Sequence, residues 1–174
     1  TKWQQQSGVV LLLPHGYEGQ GPAHSPARIE RFMTLCAEDA FTVAQPSTPA
    51  SHFHLLRRHS LGEAHRPLIV FTPKSMLKRK EAAPRPEDFT RGTFQPLIPD
   101  ASADPASVEV LLVCSGRITW DLMVERGKRE GSEKFAIARV EQLYPQPIEE
   151  LRAELARYPN LKAVRWVQDE PANM

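Results

Sequence analysis

Apolar positions along this chain fall into two kinds of pattern. Six short runs, residues 9–13, 41–44, 68–71, 108–114, 135–140 and 161–167, are mostly apolar rather than strictly alternating, interrupted only by Thr42, Glu109, Arg139, Lys162 and Arg165, which is how strands covered on both faces read. Between them, apolar residues recur at helical spacing. Ile29, Phe32, Met33 and Cys36 would line one side of a helix, and Ile148, Leu151, Leu155 and Tyr158 one side of another. Three helices are expected to start at Ser25-Pro26, Thr48-Pro49 and Gln146-Pro147. Proline in the first helical position forfeits no hydrogen bond, and Ser25 and Thr48 are good N-caps. Glu149 and Glu150 then fall in a first turn, where the helix dipole favours negative charge.

Strand and helix alternate, which predicts an α/β fold with parallel strands joined by right-handed crossovers. The rhythm breaks between Lys80 and Ser107, where Pro84, Pro86, Pro96, Pro99 and Pro105 cannot continue a helix or a central strand. A linker at 81–107 is therefore expected between one α/β unit, residues 1–80, and a second, residues 108–174. The 174 residues suffice for one ordinary domain or two small ones. The chain opens on Thr and stops directly after a strand-like run, as expected of a piece of something longer.

Charge and cysteine usage narrow the function classes. A formal net charge of +1 supplies no field for nucleic acid or an anionic membrane. No apolar run approaches the ~18 residues of a membrane helix, and the first residues lack the pattern of a signal peptide. Cys36 and Cys114 lie far apart in apolar runs, so neither a disulfide framework nor a CxxC site is available, and a soluble cytoplasmic protein is expected.

The richest segment for chemistry runs from Pro14 to Arg28, a glycine-laden loop leaving a buried strand. His15, Glu18, Gln20, His24 and Ser25 crowd into it, at the strand end where ligands of parallel sheets bind. Its glycines lack the spacing of a dinucleotide fingerprint, and no phosphate-loop motif occurs. A tightly turned structural loop is an equally good reading of composition alone. His52, His54, His59 and His65 lie close in sequence, but on a helix starting at Pro49 His52 and His54 point to different faces and no carboxylate or Cys completes a ligand set, so solvated or capping histidines are expected rather than a metal site. Lys74, Lys78, Arg79 and Lys80 read as a solvated face before they read as a phosphate site, and Cys114 reads as core.

The segment LLLPHGYEGQGPAHSPARIERF resembles the thiamine diphosphate-dependent decarboxylating component of the 2-oxoglutarate dehydrogenase complex. The likeness continues through PSTPASHFHLLRRH, RPLIVFTPKSMLKRK, the Arg139 to Pro145 segment and the final Trp166-Val-Gln-Asp-Glu-Pro-Ala-Asn, failing only in the proline-rich stretch. It implies the end of a transketolase-type pyrimidine-binding domain followed by a transketolase C-terminal-like parallel α/β domain, the latter truncated. It further implies an oxidoreductase of the tricarboxylic acid cycle that works as a homodimer, with thiamine diphosphate and magnesium as cofactors. Such an enzyme releases carbon dioxide from 2-oxoglutarate and passes the succinyl group to a lipoyl-bearing succinyltransferase component. By the same resemblance His15 lines the substrate site and helps move protons, while Glu18, Gln20, His24 and Ser25 shape the pocket, with helix capping an equal reading for His24 and Ser25.

Departures from the family pattern are also legible. Ala23 stands at a usually acidic position and Pro26 at a usual Ser. No Gly-Asp-Gly motif appears, so the magnesium and diphosphate anchor is expected outside this chain, together with the glutamate that activates the pyrimidine ring. An actinobacterial branch of the family carries an acetyl-CoA activator site. Thr42, Arg58 and Gln142 match it, but Thr93, Pro96, Glu149 and Glu150 replace mostly basic or hydroxyl residues, so that site is expected to be absent or crippled. Other readings are a 2-oxoadipate-specific relative, or a non-catalytic dimerisation or ligand-sensing domain of the same ancestry.

Overall fold

The computed structural model describes residues 2–3, 5–16, 21 and 27–172. In the first half, β1 (Val10–Pro14) and β2 (Thr42–Ala44) flank β3 (Leu68–Thr72), all three parallel, with Val10 and Thr42 both opposite Leu68. In the second, β5 (Val110–Cys114) lies between β6 (Phe135–Val140) and β8 (Ala163–Val167), again parallel. The helices α1 (Ile29–Thr34), α2 (Pro49–Leu61), α4 (Ile118–Arg126) and α5 (Ile148–Ala156) provide crossovers. All six apolar runs are strands, and the class is α/β.

Two short strands depart from the all-parallel expectation. β4 (Leu97–Ile98) pairs antiparallel with β6, and β7 (Gln142–Tyr144) pairs antiparallel with β2. The sheet orders are β1-β3-β2-β7 and β4-β6-β5-β8, so the second half of the chain lends a strand to the first sheet. Strands of two or three residues leave no run that a sequence pattern can show. The stretch 81–107 is likewise more than a connector. It carries α3 (Pro86–Thr90), which starts on a proline, and β4, whose place at a sheet edge accommodates Pro96 and Pro99 beside it. Phe94 is buried with Leu55 and Val70, and the buried Asp100 accepts the Ile137 N–H at 2.9 Å while ion-pairing with Arg126.

Helix ends follow local chemistry. Thr48 caps α2, its Oγ1 accepting the Ser51 N–H at 3.0 Å, with Pro49 next. α5 begins after Pro147 rather than on it. α1 begins at Ile29 behind a left-handed Arg28, and the Ser25-Pro26 start lies outside the described residues. That helix ends before Cys36, yet Ile29, Phe32, Met33 and Cys36 all pack on the core as their spacing predicts.

One apolar cluster runs through both sheets, joining Val43, Ile69 and Phe71 to Leu111, Val113, Ala138, Leu143 and Tyr158. The chain crosses from the second sheet to the first at a single residue, Glu141, which is fully buried. Its Oε2 accepts the Ser47 N–H at 2.8 Å and the Ser51 hydroxyl at 2.6 Å, and its Oε1 accepts the Ser47 hydroxyl at 2.5 Å. Burial pushes this carboxyl up from its ordinary value despite those donors and the nearby Arg139. The Trp120 indole N–H closes the cluster on the Ser47 carbonyl at 2.9 Å. Not every strand is covered on both faces: Leu12 of β1 and Trp166 of β8 are each about half exposed, because both strands are sheet edges.

Candidate functional site

The carboxyl ends of the parallel strands of both sheets converge. His15 and Gly16 follow β1, Gln45 follows β2, Pro73 follows β3, Ser115 and Arg117 follow β5, and Asp169 and Glu170 follow β8; together they line one small crevice. Open α/β sheets bind ligands at such strand ends, where loops diverge and backbone groups are left for a ligand. Here two sheets contribute ends to one place.

His15 sits at the centre, only 4% exposed. Its backbone N–H extends the β1–β3 pairing to the Thr72 carbonyl, and its ring stands edge-on to Phe71, centroids 5.4 Å apart. The ring Nε2 meets Glu170 Oε1 at 2.6 Å. Burial opposes ionisation of Glu170, but the bond from His15 and nearby backbone N–H groups outweigh it and hold the carboxyl below its ordinary range. The neighbouring Asp169 is instead pushed up, chiefly by burial and then by the Glu170 charge, against the pull of Arg117.

Arg117 anchors that acidic turn. It reaches Asp169 at 2.9 Å and Asp121 at 2.8 Å, and Asp121 also takes Arg79 at 2.8 Å. Arg79, expected on a solvated basic face, thereby ties the first half of the chain to α4. Gly116 has φ of 68°, and a Cβ there would fall 2.5 Å from the Gln45 side chain. Glycine is required at that turn for both reasons.

Beside the crevice opens a larger chamber of about 610 Å³. It shares Gln45, Ser115 and Glu170 with the crevice and is otherwise walled mainly by apolar groups such as Met33, Leu143 and Trp166. A mostly apolar cavity meeting a buried histidine–carboxylate pair can take up a small organic substrate and exchange a proton with it.

Of the residues expected from sequence, the described structure places His15 in the crevice; Glu18, Gln20, His24 and Ser25 lie outside the described residues. Gln45, Arg117, Asp169 and Glu170 were missed as site residues, and the available signal was their position directly after strand ends. The histidine group disperses, and some of it is neither solvated nor capping. His54 is buried and donates to the Asp88 carbonyl at 2.8 Å, because α3 packs on α2 there; His59 donates to the Gly8 carbonyl at 3.0 Å. Cys114 is core, its thiol pushed up to about 11 by burial. Arg58 stacks 4.3 Å over Phe94 and donates to Gln142, while Glu149 and Glu150 stand exposed, Glu149 paired with Arg152.

Comparison with known proteins adds a decisive observation. A family model described as 2-oxoglutarate dehydrogenase C-terminal matches residues 84–174, more than half of the chain. The chain belongs to the 2-oxoglutarate dehydrogenase family. A model of the transketolase pyrimidine-binding domain matches residues 1–80. The chain is 56% identical over 175 residues to the 2-oxoglutarate dehydrogenase E1/E2 component of Corynebacterium glutamicum, covering 99% of itself and 14% of that protein. It is 50% identical to the E1 component of Azotobacter vinelandii (99% and 18%) and 51% identical to the multifunctional 2-oxoglutarate metabolism enzyme of Mycolicibacterium vanbaalenii (99% and 14%). It therefore spans under a fifth of the length of these relatives.

Membership of this family implies thiamine diphosphate. Among the described residues no group of three or more His, Cys, Asp or Glu side chains is placed to hold a metal ion. No helix among the described residues is long and apolar enough to cross a membrane.

Proposed function

We propose that this chain is the part of a 2-oxoglutarate dehydrogenase decarboxylating subunit that presents His15 to a composite active site. The substrate is 2-oxoglutarate, the subunit works as a homodimer in the cytoplasm, and its product passes to a lipoyl-bearing succinyltransferase. Thiamine diphosphate, held with magnesium outside this chain, supplies the carbon centre that takes up the electron pair released with carbon dioxide. His15 supplies what that chemistry needs from the protein: an imidazole that can give or take a proton, and a hydrogen bond to the oxygen on which charge develops. The crevice walls exclude water around it, so each charge interaction there counts for more than in bulk solvent.

The single observation that carries this reading is the burial of His15 against an ionised partner at the meeting point of the strand ends, in a chain half-identical to E1 components throughout. The parent enzyme, assayed for carbon dioxide release with 2-oxoglutarate, 2-oxoadipate and pyruvate, is expected to prefer 2-oxoglutarate at least tenfold in kcat/KM. Preference for 2-oxoadipate, or no release from any of the three, would overturn it.

A further inference from the structure

We infer that Glu170 is the positioning residue for His15: it fixes the orientation of the imidazole and stabilises the charge the ring carries while it holds a proton. The inference rests on the proton-handling reading of His15. Three observations on Glu170 itself carry it. The contact to Nε2 is 2.6 Å, within the range of charge-assisted bonds, and both side chains are largely withdrawn from water, at 4% and 14% exposure. The carboxyl is held ionised by His15 and backbone N–H groups against its own burial, so it meets the ring as an anion. The two residues are 155 positions apart and come from different sheets, so the contact is made by the tertiary fold and not by local sequence.

Glu170 is in turn not left to a loose loop. Gln168 Nε2 donates to the Glu170 carbonyl at 3.1 Å, and the adjacent Asp169 is tied by Arg117 to α4 and, through Asp121, to Arg79. The turn that aims the carboxylate is thus braced from both halves of the chain. A carboxylate bonded to one nitrogen of a catalytic imidazole holds the ring's tautomer and orientation, and removing its charge slows turnover without disturbing the architecture.

The test uses the full-length parent enzyme with an artificial electron acceptor, which needs no lipoyl partner. Glu170→Gln is expected to lower kcat about 10- to 100-fold, the scale for losing an orienting partner, with KM for 2-oxoglutarate nearly unchanged. Glu170→Asp should restore part of that loss, since the charge returns on a shorter arm. In a His15→Ala background, Glu170→Gln should add less than about twofold, because residues acting as one unit are not additive. Turnover of Glu170→Gln within twofold of wild type, a loss confined to KM, or a full independent loss in the His15→Ala background would each overturn the inference while leaving the role of His15 standing. Normal turnover in His15→Ala alone would instead remove the reading on which it rests. Should Glu170→Gln fail to fold, Glu170→Asp in the two backgrounds decides by the same non-additivity.

Discussion

Replacing Glu141 tests whether the two sheets are held in register by one buried carboxylate. Glu141→Ala would strip the acceptor from the Ser47 N–H, the Ser47 hydroxyl and the Ser51 hydroxyl, all at 2.5 to 2.8 Å in the wild type. A buried donor left without a partner costs about 1–3 kcal/mol. The hydroxyls can turn to other acceptors and the Ser47 N–H cannot, so the loss should be about 1–3 kcal/mol, the cost of that one stranded donor. Glu141→Gln keeps the shape and one acceptor but turns an N–H₂ group toward hydroxyl donors, and should cost about 1–3 kcal/mol. Because burial raises the folded-state value of Glu141, its stabilising contribution is fully present below the unfolded value and fades as pH rises through the folded one. The gap between wild type and Glu141→Gln should therefore widen as pH falls. Urea denaturation of a Trp3→Phe, Trp166→Phe background, in which fluorescence reports Trp120, whose indole bonds the Ser47 carbonyl, reads this directly. A midpoint for Glu141→Ala equivalent to less than about 1 kcal/mol of loss would refute the reasoning.

Three further outcomes are expected. Asp100 is held below its ordinary range by Arg126, Ser102 and the Ile137 N–H, against the opposing effect of burial; its contribution is present above the unfolded value and lost as pH falls through the folded one, so Asp100→Asn should flatten the acid limb of stability against pH, and an unchanged limb in denaturant titrations would contradict this. Calorimetric titration of the isolated chain with thiamine diphosphate and magnesium should show no micromolar binding, since the sequence has no Gly-Asp-Gly motif; micromolar affinity would place an anchor within this chain. If the family resemblance places Glu149 and Glu150 correctly, at the cation positions of the acetyl-CoA activator site, acetyl-CoA should not activate the parent enzyme, because each close like-charge contact costs about 1 kcal/mol even in high dielectric; a several-fold rise in rate at micromolar effector would show that the matching positions still form a site.

How much of this was legible in the sequence follows from the range of the interactions involved. The run Leu68 to Phe71 and the mostly apolar stretch Val108 to Cys114 read directly as strands covered on both faces, although the similar run of β1 turns out half exposed at a sheet edge. β7 did not, because Gln142 to Tyr144 is only three residues long and follows β6 after one residue, too short for a run of its own. Only the buried Glu141 marks the change of sheet, and a lone acidic residue in sequence says surface. α4 escaped notice because it starts from Arg117 without a side-chain cap and carries no long apolar stripe. His15 was visible from its place after a buried strand in a glycine-rich loop. Glu170 was not, since Gln168 to Pro171 is a polar turn whose meaning comes from the parallel sheets that bring the ends of β1 and β8 together. The family resemblance supplied the chemistry, while the partner of the histidine came from the fold.

The claim that His15 is the proton-handling residue of a composite decarboxylase site is tested most directly by the turnover of His15→Ala in the full-length parent enzyme. Carbon dioxide release from 2-oxoglutarate should be measured under saturating thiamine diphosphate and magnesium, with cofactor binding checked separately. The account predicts a fall in kcat of about a hundredfold or more, the scale of a positioned acid–base group, with cofactor affinity retained. Turnover within a few-fold of wild type would contradict it and leave His15 as a buried structural partner of Glu170.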